Sequence, residues 1–246
     1  MKKLVKDVFI IAVMKSLPDL KRQPLILLVI GLISAIPLFF IAIFSQGMIG
    51  QGLVGTMISM VAFIGIAAGI QDMTWDRYVK IREMIVAMPV HPLSYALGVA
   101  IAPLILSLPG IIFFAAIAFG MGILTLSSVG WLIAALLLCW ASMSSIGFFI
   151  STYMRKSSPY TLNNISNILG IGLIFLPPVY YPEEMLGSLS WISLLFPTSN
   201  SAGLIRAYSG LASMPMEVLV LRWALLIAVT AVSIMLTAAK AKWRED

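Results

Sequence analysis

Carboxylates, imidazoles and thiols, the usual groups for acid–base and metal chemistry, are few: ten acids, one histidine and one cysteine among 246 residues. Cys139 lies inside an apolar run, and a lone thiol admits neither an intrachain disulfide nor a cysteine-based metal site. It reads as a small core side chain. His91, also alone, excludes any site that needs two imidazoles. The acids are Asp7, Asp19, Asp72, Asp76, Glu83, Glu183, Glu184, Glu217, Glu245 and Asp246, and each falls in a loop or at the end of an apolar run. An intramembrane hydrolase or phosphotransferase would need a base, nucleophile or metal cluster at membrane depth, and none is visible. No G-x-x-x-x-G-K-S/T loop occurs, so the chain cannot cradle nucleotide phosphates by that route.

The polar residues that remain gather in three places. The first is QDMTWDRYVKIREMIVAMPVHP, the most charged internal stretch. If residues 72–88 are helical, Asp72, Asp76, Lys80 and Glu83 share one face, while Tyr78, Ile81, Ile85 and Met88 share another. Two readings stand, a cytoplasmic helix offered to a partner and an interfacial helix lying on lipid headgroups. Pro89 and Pro92 end it and turn the chain back.

The second is PPVYYPEEMLGSLSWISLLFPTSNSAGLIRAYSG, apolar but broken by Pro182 and Pro197 into pieces too short to cross a bilayer. Pro182, Glu183 and Glu184 suit a helix start, with Met185, Leu189, Ile192 and Phe196 as an apolar stripe. Thr198 or Ser199 could cap a second short helix ending before Gly210. Both pieces read as a re-entrant pair over 182–210 dipping from the outer face. Tyr180, Tyr181 and Trp191 fit an aromatic belt or an outer gate. The third place is Asn163, Asn164, Ser166 and Asn167, which could cap and make interfacial contacts or line a substrate path.

The elements that position these groups follow from hydropathy. With 61% apolar and 11% charged residues, the composition lies outside the soluble globular range. A crossing of about 30 Å needs roughly 20 apolar residues, so the chain has room for about six spans and short loops. They are expected at 25–44, 52–70, 93–117, 131–151, 161–177 and 219–239, the last uncharged from Trp223. Gly65 and Gly69 form a G-x-x-x-G pair suited to close helix contact. MKK followed by an apolar stretch resembles the opening of a signal peptide. Lys15, Asp19, Lys21 and Arg22 then follow without a cleavage pattern, so 3–17 reads as a retained amphipathic helix.

Of the 16 Lys and Arg, all but Arg206 and Arg222 fall on one side of this six-span scheme. That asymmetry places both termini in the cytoplasm. The net charge of +6 therefore reads as a topology signal, not as a nucleic-acid footprint.

At this point the chain resembles the ABC type-2 permeases, a family of membrane-spanning ABC transporter subunits dominated by exporters. REMIVAMPVHPLSYALG is similar to the family's acid, aliphatic run, Pro-Val turn and glycine, carried by Glu83, Met84, Pro89, Val90 and Gly98. YYPEEML with the later Pro197, Arg206 and Gly210 resembles the family's re-entrant pair. Phe196-Pro197 stands where the family often has Asn-Pro. The resemblance implies an all-α polytopic membrane protein forming one permease domain, 1–246, with an N-terminal connecting helix. It implies that 72–88 is the coupling helix, with Asp76, Arg77, Lys80, Arg82, Glu83, Met84 and Pro89 meeting a separate ATPase subunit. Asn163, Asn164 and Asn167 become candidates for the substrate path, and Tyr180, Tyr181, Pro182, Glu183, Pro197 and Arg206 for the outer gate.

ATP and Mg would bind the partner ATPase, with no cofactor and no metal on this chain. A second permease copy or paralogue would complete a dimer. The rival classes are an ion-coupled carrier, which usually buries an acid or histidine at membrane depth, and a channel, which would show a filter signature.

Overall fold

The computed structural model describes residues 2–22, 25–79, 91–154 and 156–240, and every regular element among them is helical. In chain order these are α1 (Lys2–Arg22), α2 (Leu25–Phe44), α3 (Ile49–Ala67), a π turn (Ala68–Asp72) and α4 (Met73–Tyr78). They continue with α5 (Pro92–Gly120), α6 (Val129–Tyr153), α7 (Pro159–Phe175), a 3-10 strap (Glu183–Leu195), α8 (Pro197–Tyr208) and α9 (Met216–Lys240). Among the described residues, four helical stretches are long and apolar enough to cross a membrane: Gln46–Tyr78, Ser94–Gly120, Leu126–Tyr153 and Met216–Ala239. The runs expected at 25–44 and 161–177 form helices α2, of 20 residues, and α7, of 17.

The molecule is organised around α3. It is apolar on all sides, as a helix enclosed by others must be, and its residues from Gly52 to Ala62 are buried without interruption. It packs on α2, α5, α6, α7 and α8. The outer helices instead leave large apolar side chains uncovered, among them Phe39 and Phe44 on α2, Ile112 and Phe113 on α5, and Val232 and Met235 on α9. In water such a surface would drive aggregation, whereas in hydrocarbon it costs nothing.

Small residues set the closest approach of α3 to its neighbours. A Cβ on Gly69 would lie 2.7 Å from the Gly147 backbone on α6, and one on Gly65 would lie 3.0 Å from Met143 Cβ. The expected Gly65/Gly69 contact is therefore formed, with α6 and with Gly147 as its counterpart.

Two elements differ from the sequence reading. The second span was expected to end at 70, with a separate helix after it. The helix instead runs without a break from Ile49 to Tyr78, widening by a π turn at Ala68–Asp72. No proline or chain-reversing glycine stops it, and Thr74 Oγ1 bonds the Ile70 carbonyl at 2.6 Å inside it. Residues 80–90, which hold most of the expected 72–88 helix, lie outside the described residues.

The first piece of the 182–210 segment, expected as a re-entrant helix, is 3-10 and not α. It is broken at Gly187, whose φ of 54° is open to glycine and costly for most other residues. The expected stripe is therefore not sequestered: Met185 and Leu189 are exposed.

The other boundaries follow local signals. Ser158 caps α7, accepting from the Thr161 N–H at 3.1 Å, with Pro159 in the first turn. Pro197 opens α8 after an extended Phe196. At the far end Gly210, with φ 76°, receives the chain: its N–H reaches the Ala207 carbonyl and that of Leu211 reaches Arg206. That pair of bonds is the Schellman closure. Thr198 and Ser199 do not cap α8, since Thr198 Oγ1 bonds Leu173 O at 2.5 Å and Ser199 Oγ has no partner.

Candidate functional site

At one end of the bundle, α4 extends the central helix and carries Asp76 and Arg77. Asp76 is buried at 5% exposure and accepts from Lys15 Nζ of α1 at 2.6 Å and from the Tyr95 hydroxyl of α5. Arg77 Nη2 donates to Ser151 of α6, at 2.8 Å to Oγ and 3.0 Å to the carbonyl. One turn earlier, Gln71 Nε2 donates to Ser166 Oγ of α7 at 3.2 Å and lies 3.5 Å from Asn167 Oδ1. Three residues of one helix, Gln71, Asp76 and Arg77, thus fasten it to four others. Movement of this segment would be felt by α1, α5, α6 and α7 together.

Of the residues expected to meet a partner, Asp76 and Arg77 are therefore engaged within the chain. Trp75 and Tyr78 of α4, and Val79 just past its end, are exposed. Lys80, Arg82, Glu83, Met84 and Pro89 lie outside the described residues. Asn167 joins the Gln71 contact, whereas Asn164 is exposed.

α1 extends beyond the expected 3–17, through Pro18 to Arg22. It packs chiefly on α5, where a Cβ on Gly98 would lie 2.6 Å from Ile11 Cγ2. That close approach gives Gly98 a physical role. On its other side α1 leaves Val5, Phe9, Met14 and Leu17 exposed.

At the opposite end of the bundle two buried arginines do different work. Arg206 of α8 donates to Pro178 O at 2.9 Å and Val179 O at 2.5 Å, holding the turn after α7. Burial pulls its guanidinium below its ordinary pKa to about 10, opposed by the Glu183 charge, so it remains cationic at neutral pH. Tyr180, next in that turn, is wedged over Gly55 of α3 and donates to Ser34 O of α2 at 2.9 Å. Tyr181 only bonds back to Leu176 O, at 3.0 Å.

Arg222 of α9 holds the strap instead. Its Nη2 meets both carboxylate oxygens of Glu183, at 2.6 and 2.5 Å, and its Nη1 reaches Ser199 O at 3.3 Å. Tyr180, Pro182, Glu183, Pro197 and Arg206 are thus gathered at one end of the bundle. Arg222 was legible only as one of the two positive residues on the minority side of the topology.

Beside Tyr180 an apolar cleft of about 410 Å³ opens, lined by Ile36, Pro37, Phe40, Ile41, Met48, Phe175, Tyr180 and Tyr181. It suits hydrocarbon and offers no polar recognition. Among the described residues no three His, Cys, Asp or Glu side chains gather as a metal site would need.

Residues 7–208 match the family model described as ABC-2 type transporter. No curated protein sequence matches the chain.

Proposed function

Since the chain belongs to the ABC-2 type transporter family, matched over well more than half its length, we propose that it is the membrane-spanning subunit of an ATP-driven exporter. It works with separate ATPase subunits and a second permease copy or paralogue. The family match is the observation that carries this reading.

On this reading the six spans are α2, the α3–α4 helix, α5, α6, α7 and α9, with both termini in the cytoplasm and the strap and α8 as the re-entrant outer pair. The ATPase docks on the 72–89 segment. Asp76, Arg77 and Gln71 support that assignment, because a push on 80–90 reaches α4 and passes through their bonds into α1, α5, α6 and α7. Glu83, Arg82, Lys80, Met84 and Pro89 would form the contact itself.

The cargo is a hydrophobic or amphiphilic molecule, consistent with the apolar cleft and the low charge of the interior. An ion-coupled carrier is less well supported. Asp76 and Glu183 each have a basic partner. Reversing the charge at Glu83 tests the coupling role: ATP hydrolysis by the assembled complex should persist while transport falls. Unchanged transport would remove 72–89 from the coupling path.

A further inference from the structure

We propose that Glu183 and Arg222 form a latch that holds the outer strap shut over α8, with Arg222 its anchor on α9. The proposal deepens the reading of 182–210 as an outer gate and rests on it.

Four observations converge. The strap rests chiefly on α8 and α9, so it has a narrow footing. Among the described residues its one ion pair is the two-pronged Glu183–Arg222 contact, with Arg222 1% exposed. Ser193 Oγ returns to Glu183 Oε2 at 3.1 Å, so both ends of the strap converge on the same carboxylate. Beneath it, Gly203 leaves room for the guanidinium, since a Cβ there would lie 2.6 Å from Arg222 Nη1.

The chemistry favours a latch over a simple staple. A buried ion pair gives back in attraction about what it costs in desolvation, so a permanent closure would be better served by apolar packing. When the strap lifts, both charges regain water, which brings the open and closed arrangements close in free energy. Gly187, at positive φ in mid-strap, supplies a point of bending. Arg206 makes no hydrogen bond to Glu183; its Nη1 and Nη2 donate to the Pro178 and Val179 carbonyls.

The test uses the full chain in lipid nanodiscs, where both faces meet solvent and neither orientation nor ATPase activity enters. Cys139→Ala removes the native thiol, and Ser199→Cys places one under the strap, at a buried hydroxyl without a partner. The probe is a hydrophilic maleimide. With the pair intact the thiol should react slowly. Glu183→Gln or Arg222→Gln should each speed it by about tenfold or more, and the double variant no further, because all cut one link.

A control thiol at Ser144 of α6, equally buried, should stay unreactive throughout. An unchanged rate at position 199, or effects that multiply in the double variant, would overturn the latch. A parallel rise at position 144 would assign the pair to general stability and overturn it too. Because transport is not read, failure here leaves the permease assignment untouched.

Discussion

The Lys15 ammonium lies 2.6 Å from the Asp76 carboxylate, joining α1 to the α4 end of the central helix across 61 positions of chain. The Tyr95 hydroxyl donates to the same carboxylate, so three elements meet at one buried oxygen. In a bundle assembled mainly by apolar contacts, this bond fixes how the N-terminal helix rides on the α3–α4 rod.

Replacing Asp76 with Asn should therefore loosen that end of the molecule. Lys15 keeps partial access to water, which discounts the loss, so the expected destabilisation is about 1–3 kcal/mol. Thermal unfolding in detergent or nanodiscs reads it. In the assembled complex the same variant should hydrolyse ATP with weakened dependence on transport. Unaltered stability and coupling would mean that the contact carries no force.

Gly147→Ala tests the crossing of α3 and α6. A Cβ at 147 would lie 2.8 Å from the Ile66 carbonyl and 2.9 Å from Gly69 Cα, and backbone cannot step aside as a side chain can. Overpacking of this kind costs about 1–3 kcal/mol. Gly31→Ala on α2, with nothing within 4 Å of its Cβ, should leave unfolding unchanged. Equal effects at the two glycines would contradict the packing account.

Much of this architecture was legible in the sequence, for physical reasons. Uncharged runs of span length mark α2, α5, α6 and α9 because hydrocarbon tolerates little else. Pro197 and Gly210 mark the ends of α8 because each has a local backbone consequence. The pairings were not legible. Asp76 was read as a cytoplasm-facing charge on an amphipathic helix, and only tertiary packing brings Lys15 and Tyr95 against it.

The same holds for Glu183 and Arg222, 39 positions apart. The useful signal was that Arg206 and Arg222 alone fell on the sparsely charged side. A cation there, beside an apolar run, needs a partner, and the structure supplies carbonyls to one and a carboxylate to the other. The strap's 3-10 form was missed because a 3.6-residue stripe was assumed across Gly187.

Arg206→Gln should destabilise the turn after α7 by about 2–4 kcal/mol, since it leaves the Pro178 and Val179 carbonyls short of charged donors in a buried setting. The expected result is a lower unfolding temperature with Tyr180 more accessible. Arg206→Lys should recover only part, because one ammonium cannot reproduce the forked donation to two carbonyls. Full recovery would show that charge alone suffices.

Orientation is tested by single thiols in a Cys139→Ala background. Ser188 on the strap and Lys156 before α7 are both exposed. In intact cells a membrane-impermeant maleimide should label a cysteine at 188, and one at 156 only after the membrane is opened. The reverse pattern would invert the topology.

The central claim is that this chain moves its cargo with energy from a separate ATPase. The most direct measurement is to purify it from its native membrane in mild detergent and assay the preparation for ATP hydrolysis. It should then be reconstituted in liposomes with and without ATP. The account predicts a nucleotide-hydrolysing subunit bound to the chain and transport that requires ATP. A chain that purifies free of any ATPase and transports on an ion gradient alone would contradict it.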